Sequence, residues 1–188
     1  MRAAARAVSI EPEAVLSMVT ACRSDGDEQT ATSAARIARL LLESDAPFSR
    51  ASYDPGHVTA SAIVLDPDAS SVVLVYHERL ERWLQPGGHI EAGDASLEAA
   101  ARREVLEETG LRLSDETPRL VALDVHEIPP ARGEPRHFHH DFMFAFRLRA
   151  PAALTGATQA VWCAVSQLDR YAVDGALRRG LARARGQG

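Results

Sequence analysis

Three carboxylates carry the first chemical signal in this chain of 188 residues. Glu104, Glu107 and Glu108 fall near the end of a stretch, Ala95 to Thr109, whose composition predicts a helix stopped by Gly110. Spacings of three and four put them on one helical face, a turn apart. Carboxylates so close repel each other unless a cation neutralises them. Their oxygens are hard ligands, suited to Mg²⁺ or Mn²⁺. Arg102 and Arg103 add local positive charge. Arg103, four residues before Glu107, is placed to orient a carboxylate. Just ahead, Gly87 and Gly88 let the backbone turn tightly and come close to a ligand. A carbonyl there could complete a metal shell. Water could then attack a metal-bound diphosphate while a carboxylate takes the proton.

Residues 87 to 111 read GGHIEAGDASLEAAARREVLEETGL. This stretch resembles the Nudix box of the Nudix hydrolase family. That signature runs Gly, five residues, Glu, seven residues, Arg-Glu, an aliphatic, any residue, Glu-Glu, any residue, Gly, an aliphatic. Gly88 matches the first glycine, and Arg103 to Leu111 matches the second half without a gap. The resemblance implies an α+β fold, an α/β/α sandwich whose mixed sheet carries the box as a loop-helix-loop. It implies Mg²⁺-dependent cleavage of a nucleoside diphosphate linked to another group, with Mn²⁺ as a substitute. It implies that Glu104, Glu107 and Glu108 hold the metal, that one of them serves as base, and that Gly87 offers its carbonyl. Two departures stand out. Asp94 sits where the family has its first glutamate, and eight residues, not seven, separate it from Arg103. The extra residue is expected in the loop or the first helical turn, with Asp94 as N-cap.

Other residue groups carry weaker signals. All seven histidines lie between positions 57 and 140, and four of them are His126, His137, His139 and His140. If 137–144 is a strand, His137, His139, Asp141 and Met143 share one face, and Phe138, Phe142 and Phe144 share the other with His140. The aromatic face reads as core. The first face either lines the substrate cleft, takes a proton or binds another metal, or it is a polar solvent face. A zinc site is the weaker reading, because the glutamates already supply a hard-oxygen site. Gly88 and His89 read as approaching phosphate, with His139 a further substrate-binding candidate. Trp83 reads as packing support for the glycine loop.

Composition excludes other chemistries. All 21 basic residues are arginine, which rules out Schiff-base lysines, a Walker A lysine and a kinase strand lysine. The net charge of −5 leaves no broad positive field for a nucleic acid backbone. Cys22 and Cys163 permit no CxxC zinc spacing. The longest apolar runs are too short to cross a bilayer. The N-terminal MRAAARAVSI stops short of a signal peptide at Glu11 and Glu13. A cytoplasmic, unprocessed chain is expected.

The elements that must position these residues follow from periodicity. Helices are expected at 11–23 and 27–44, then a hairpin of 57–65 and 71–76 around Asp66-Pro67-Asp68-Ala69. Pro86-Gly87-Gly88 reads as a break. Strands at 119–128, 137–148 and 160–165 precede a last helix near 173–185. Residues 1–46 are expected to form a helical extension, packed over the sandwich or making a homodimer contact, and 47–188 the hydrolase domain. Its partner is a nucleotide-derived small molecule. Pro129 and Pro130 fall near the proline that the family associates with ADP-ribose, displaced by a few residues. Two alternatives stay open: a non-hydrolytic nucleotide-binding module, and a prenyl diphosphate isomerase, which would need a cysteine at the site.

Overall fold

The computed structural model describes residues 10–23, 27–113, 118–131 and 133–186. The arginine- and alanine-rich start weighed above as a leader therefore lies almost wholly outside the described residues. Two helices come first. Helix α1 (Pro12–Arg23) carries its proline in the first turn, where no amide hydrogen is needed. Helix α2 (Glu28–Glu43) is capped by Asp27, whose Oδ1 accepts from the amides of Gln29 and Thr30 at 3.0 and 3.1 Å. The apolar side of α2, with Ala34, Ile37, Leu40 and Leu41 buried, belongs to a hairpin of helices in which α1 contributes Val15 and Val19.

Among the described residues, seven strands and two further helices follow: β1 (His57–Leu65), β2 (Ser71–His77), β3 (Arg82–Leu84), β4 (Gly87–His89), α3 (Leu97–Thr109), β5 (Arg119–Ile128), β6 (His137–Arg147), β7 (Ala160–Ala164), a 3-10 turn (Val165–Tyr171) and α4 (Gly175–Ala184). The strands form one sheet in the order β3-β2-β1-β6-β5, with β4 on β1 and β7 on β2. The fold is therefore α+β, as the resemblance implies. Strand β1 is buried along all nine residues, His57, Thr59 and Ser61 included. No helix among the described residues is long and apolar enough to cross a membrane.

Three features differ from expectation. The Pro-Gly-Gly segment does not simply break the chain, because Gly87–His89 pairs with β1, and Arg82–Leu84 pairs with β2 in the register Tyr76 to Trp83. Such short strands exist through their partners' amides and leave no periodic signal of their own. Asp94 does not cap α3. Its Oδ2 accepts the Glu91 amide at 2.8 Å, and Ser96 is the cap, with its Oγ accepting the Ala99 amide at 3.0 Å. The additional residue thus sits in the loop before Leu97. Strand β6 has no open polar face. Phe142, Met143, Phe144 and Phe146 are buried, and so are His137, His140 and Asp141, whose Oδ1 accepts the Thr59 hydroxyl at 3.0 Å.

The chain forms two compact units. One comprises Met1–Ala60, His89–Ala100 and Leu123–Phe142, and it holds α1, α2 and the cluster of histidines. The other comprises Ser61–Gly88, Ala101–Ala122 and Met143–Gly188. Its core gathers Ile63, Leu65, Leu74, Met143, Cys163, Leu177 and Leu181. Trp83 packs there edge-on between Tyr76 and Tyr171, at centroid distances of 5.4 and 5.3 Å, as a core-packing residue.

Candidate active site

The glutamates sit in the second unit, on the C-terminal half of α3. Helical periodicity brings them to one side, but the helix end needs outside help, because its last carbonyls lack partners within the helix. A loop at 155–158 supplies it. The amides of Thr155, Ala157 and Thr158 donate to the carbonyls of Thr109, Glu107 and Glu108 at 2.9, 3.4 and 3.3 Å. A Cβ at Gly156 would fall inside the Glu108 carbonyl, so only glycine allows this approach. Gly110, with φ of 76°, ends the helix in the left-handed conformation.

The glycine strand meets the carboxylates directly. The Gly87 amide donates to Glu108 Oε2 at 3.1 Å. At Gly88 a Cβ would stand 2.5 Å from Glu104 Oε1, so the missing side chain is the space that Glu104 fills. Arg103 ties the set together, its Nη1 donating to Glu104 Oε1 at 2.9 Å and to Glu107 Oε2 at 3.2 Å. Of the residues expected here, Gly87, Gly88, Arg103, Glu104 and Glu108 are brought into contact. Glu107 joins through Arg103, and its side chain is 56% exposed.

Burial pushes the Glu108 carboxyl up to about 7, and the nearby Glu104 and Glu107 charges push the same way, while the Gly87 amide works against them. Crowded carboxylates with a raised proton affinity are the condition that a divalent cation relieves. The donors are oxygens, and Gly88 leaves one of them room at the glycine strand. The arrangement fits a hard cation of the Mg²⁺ type.

All the histidines but His77 lie in the first unit. His57, His137 and His139 bring one ring nitrogen each to within 4.8 Å of one another. His89 stands beside them, with its centroid 5.0 Å from His57 and 5.1 Å from His139, and His126 is 5.6 Å from His139. Burial, reinforced by neighbouring positive groups, drives His89 down to about 4 and His139 to about 2; His57 is also lowered, chiefly by burial. His57 was not singled out from sequence as a site residue. A usable signal was present: His57, Thr59 and Ser61 place polar groups on alternate positions of an otherwise apolar strand. The buttress at 155–158 was missed as well, because a Thr-Gly-Ala-Thr turn looks like any loop.

Comparisons with known proteins identify the family. A family model described as NUDIX domain matches residues 55–183. The chain belongs to the Nudix hydrolase family. It is 44% identical over 59 residues to the m7GpppN-mRNA hydrolase NUDT17 of Xenopus laevis, a match covering 30% of this chain and 20% of that protein. The chain thus matches only one fifth of that relative's length. It is 31% identical over 116 residues to a probable DHNTP pyrophosphohydrolase of Lactococcus lactis subsp. cremoris (strain MG1363), covering 60% of this chain and 68% of that one. In fold it resembles the NUDIX domain of Shewanella oneidensis NrtR, crystallised with ADP ribose, with a TM-score of 0.51, 20% identity, and coverage of 79% and 97%. The E. coli dihydroneopterin triphosphate pyrophosphohydrolase is similar at a TM-score of 0.51, 19% identity, and coverage of 67% and 92%.

Proposed function

We propose that this protein is a Nudix-type pyrophosphohydrolase that cleaves a phosphoanhydride in a nucleoside diphosphate linked to another group. The observation that carries this reading is the meeting of Glu104 and Glu108 with the Gly87-Gly88 strand, with Arg103 bridging Glu104 and Glu107. Glu104, Glu107 and Glu108, with the Gly87 carbonyl, would hold Mg²⁺, for which Mn²⁺ can substitute. When bound, the cation would neutralise phosphate charge and lower the pKa of water. The chain's own residues do the rest. Arg103 fixes the directions of two carboxylates, Gly88 keeps the approach to Glu104 open, and a carboxylate of the cluster, Glu104 or Glu107, accepts the proton of the attacking water. In this reading residues 47–188 form the hydrolase domain, 1–46 are an extension, and the reaction takes place in the cytoplasm. His89 and His139, also expected at the substrate, lie in the histidine cluster of the first unit, and His139 is taken up with it below.

The isomerase alternative finds no support in the cysteines. Cys22 and Cys163 are both buried, and burial raises the Cys163 thiol pKa. The hydrolase is tested by phosphate release, coupled to a phosphatase, from ADP-ribose, nucleoside diphosphate sugars, dinucleoside polyphosphates and nucleoside triphosphates. The expected result is turnover that needs Mg²⁺ or Mn²⁺, stops with EDTA, and collapses in Glu107→Gln/Glu108→Gln. Tight nucleotide binding without turnover would replace this reading with a binding module.

A further inference from the structure

We infer that His57, His137 and His139 form a metal site that shares no ligand with the glutamate cluster and is selective for a zinc-like divalent ion. His57 Nδ1 lies 3.0 Å from the Ser52 carbonyl, and His137 Nδ1 lies 2.8 Å from the Pro135 carbonyl. A carbonyl can only accept, so in both rings Nδ1 carries the hydrogen and Nε2 keeps its lone pair. This is the pattern by which a backbone carbonyl orients a metal-bound imidazole.

Two of the three rings carry a nitrogen with no hydrogen-bond partner among the described residues. His57 is 1% exposed and His137 3%. His57 Nε2 and His139 Nε2 are buried without a hydrogen-bond partner among the described residues. A purely structural set of histidines would satisfy these atoms, since a buried polar atom left unpaired loses its hydration without compensation. Instead the rings converge. His57 stacks on His137 at 5.1 Å and 28°, and the His57–His139 and His137–His139 centroids lie 4.9 and 5.2 Å apart. Ligand nitrogens within 4.8 Å of one another would draw in to the roughly 3.3 Å set by a tetrahedral ion with Zn–N near 2.0–2.1 Å.

The donor set names the ion class. Three neutral imidazoles suit Zn²⁺, Co²⁺ or Ni²⁺ and are poor ligands for Mg²⁺ or Ca²⁺, which prefer oxygen. The glutamate cluster has the opposite preference. His89 is in contact with the rings of His57 and His139, so it or a solvent molecule would supply a fourth ligand. Such an ion would join the start of β1 to the start of β6.

The test uses the full chain without a histidine tag. The protein is stripped with chelator and titrated with Zn²⁺ in the Glu107→Gln/Glu108→Gln background, which removes the competing carboxylates. One tightly bound equivalent is expected, with an X-ray absorption shell of nitrogens at about 2.0–2.1 Å. His139→Gln and His137→Gln should each weaken binding by at least about 100-fold, the upper range seen when even an outer-shell partner is lost. Mg²⁺ in large excess should not displace the zinc. Zinc binding that disappears with the glutamates, or an oxygen-only absorption shell, would overturn the proposal. The absorption spectrum of the chain with intact histidines decides the matter even if a histidine variant fails to fold.

Discussion

Glu104 occupies the space that a side chain at Gly88 would take: a Cβ there would stand 2.5 Å from Glu104 Oε1. The obstacle is the far end of a flexible side chain, not backbone. Gly88→Ala should therefore fold but push the Glu104 carboxylate aside. A misplacement of this size costs on the order of 100-fold in rate. The variant should show kcat reduced to that extent with a melting temperature close to that of the unaltered chain. Unchanged kcat would remove Glu104 from the proposed machinery.

Arg103 holds two carboxylates through one nitrogen. Lysine keeps the charge but loses the planar fork and its extra donors. Arg103→Lys should lower kcat about tenfold to 100-fold, the equivalent of one charge-assisted hydrogen bond, with a smaller change in KM. The split is read from steady-state kinetics at saturating Mg²⁺. A change confined to KM would mean that Arg103 acts on substrate binding alone.

Gly156 differs from Gly88 because its Cβ would collide with backbone, the Glu108 carbonyl and the Thr109 amide. Nothing there can swing away. Gly156→Ala should destabilise the protein by about 1–3 kcal/mol or more through overpacking, seen as a lower urea midpoint. Because the same loop caps the carboxyl end of α3, activity of the folded fraction should fall as well. Wild-type stability in this variant would show that the loop at 155–158 is not a buttress.

Asp66 gives the β1–β2 turn a pH dependence. Partial burial pushes its carboxyl up, but the amides of Ser70 and Ser71 and the Ser70 hydroxyl, at 2.8, 3.0 and 2.8 Å, outweigh burial and hold it below the usual 3.8. A carboxyl with a depressed folded pKa stabilises fully above its unfolded value and loses that contribution as the pH falls through its folded one. The melting temperature of Asp66→Asn should thus lie below that of the unaltered chain at neutral pH, and the gap should narrow in acid below about pH 4. A gap independent of pH would assign the effect to geometry alone.

The parts of this protein that sequence alone determines are local ones. Glu104, Glu107 and Glu108 share a face because a helix has a fixed period, and the glycine pair is a break wherever it falls. Strands β1 and β5 span the residues that their β-prone runs announce, since each is long enough to carry its own pattern. Tertiary structure decided what pairing and burial must supply. It turned Gly87–His89 into a strand on β1, and it gave the capping of α3 to Ser96 by turning Asp94 back onto Glu91. It covered both sides of β6, so an alternation that distinguishes an inner from an outer face had nothing to distinguish. It also brought His57 to His137 and His139 across 80 residues of sequence. No spacing rule reaches that far, because such contacts are set by which strands pair and not by the period of any one of them.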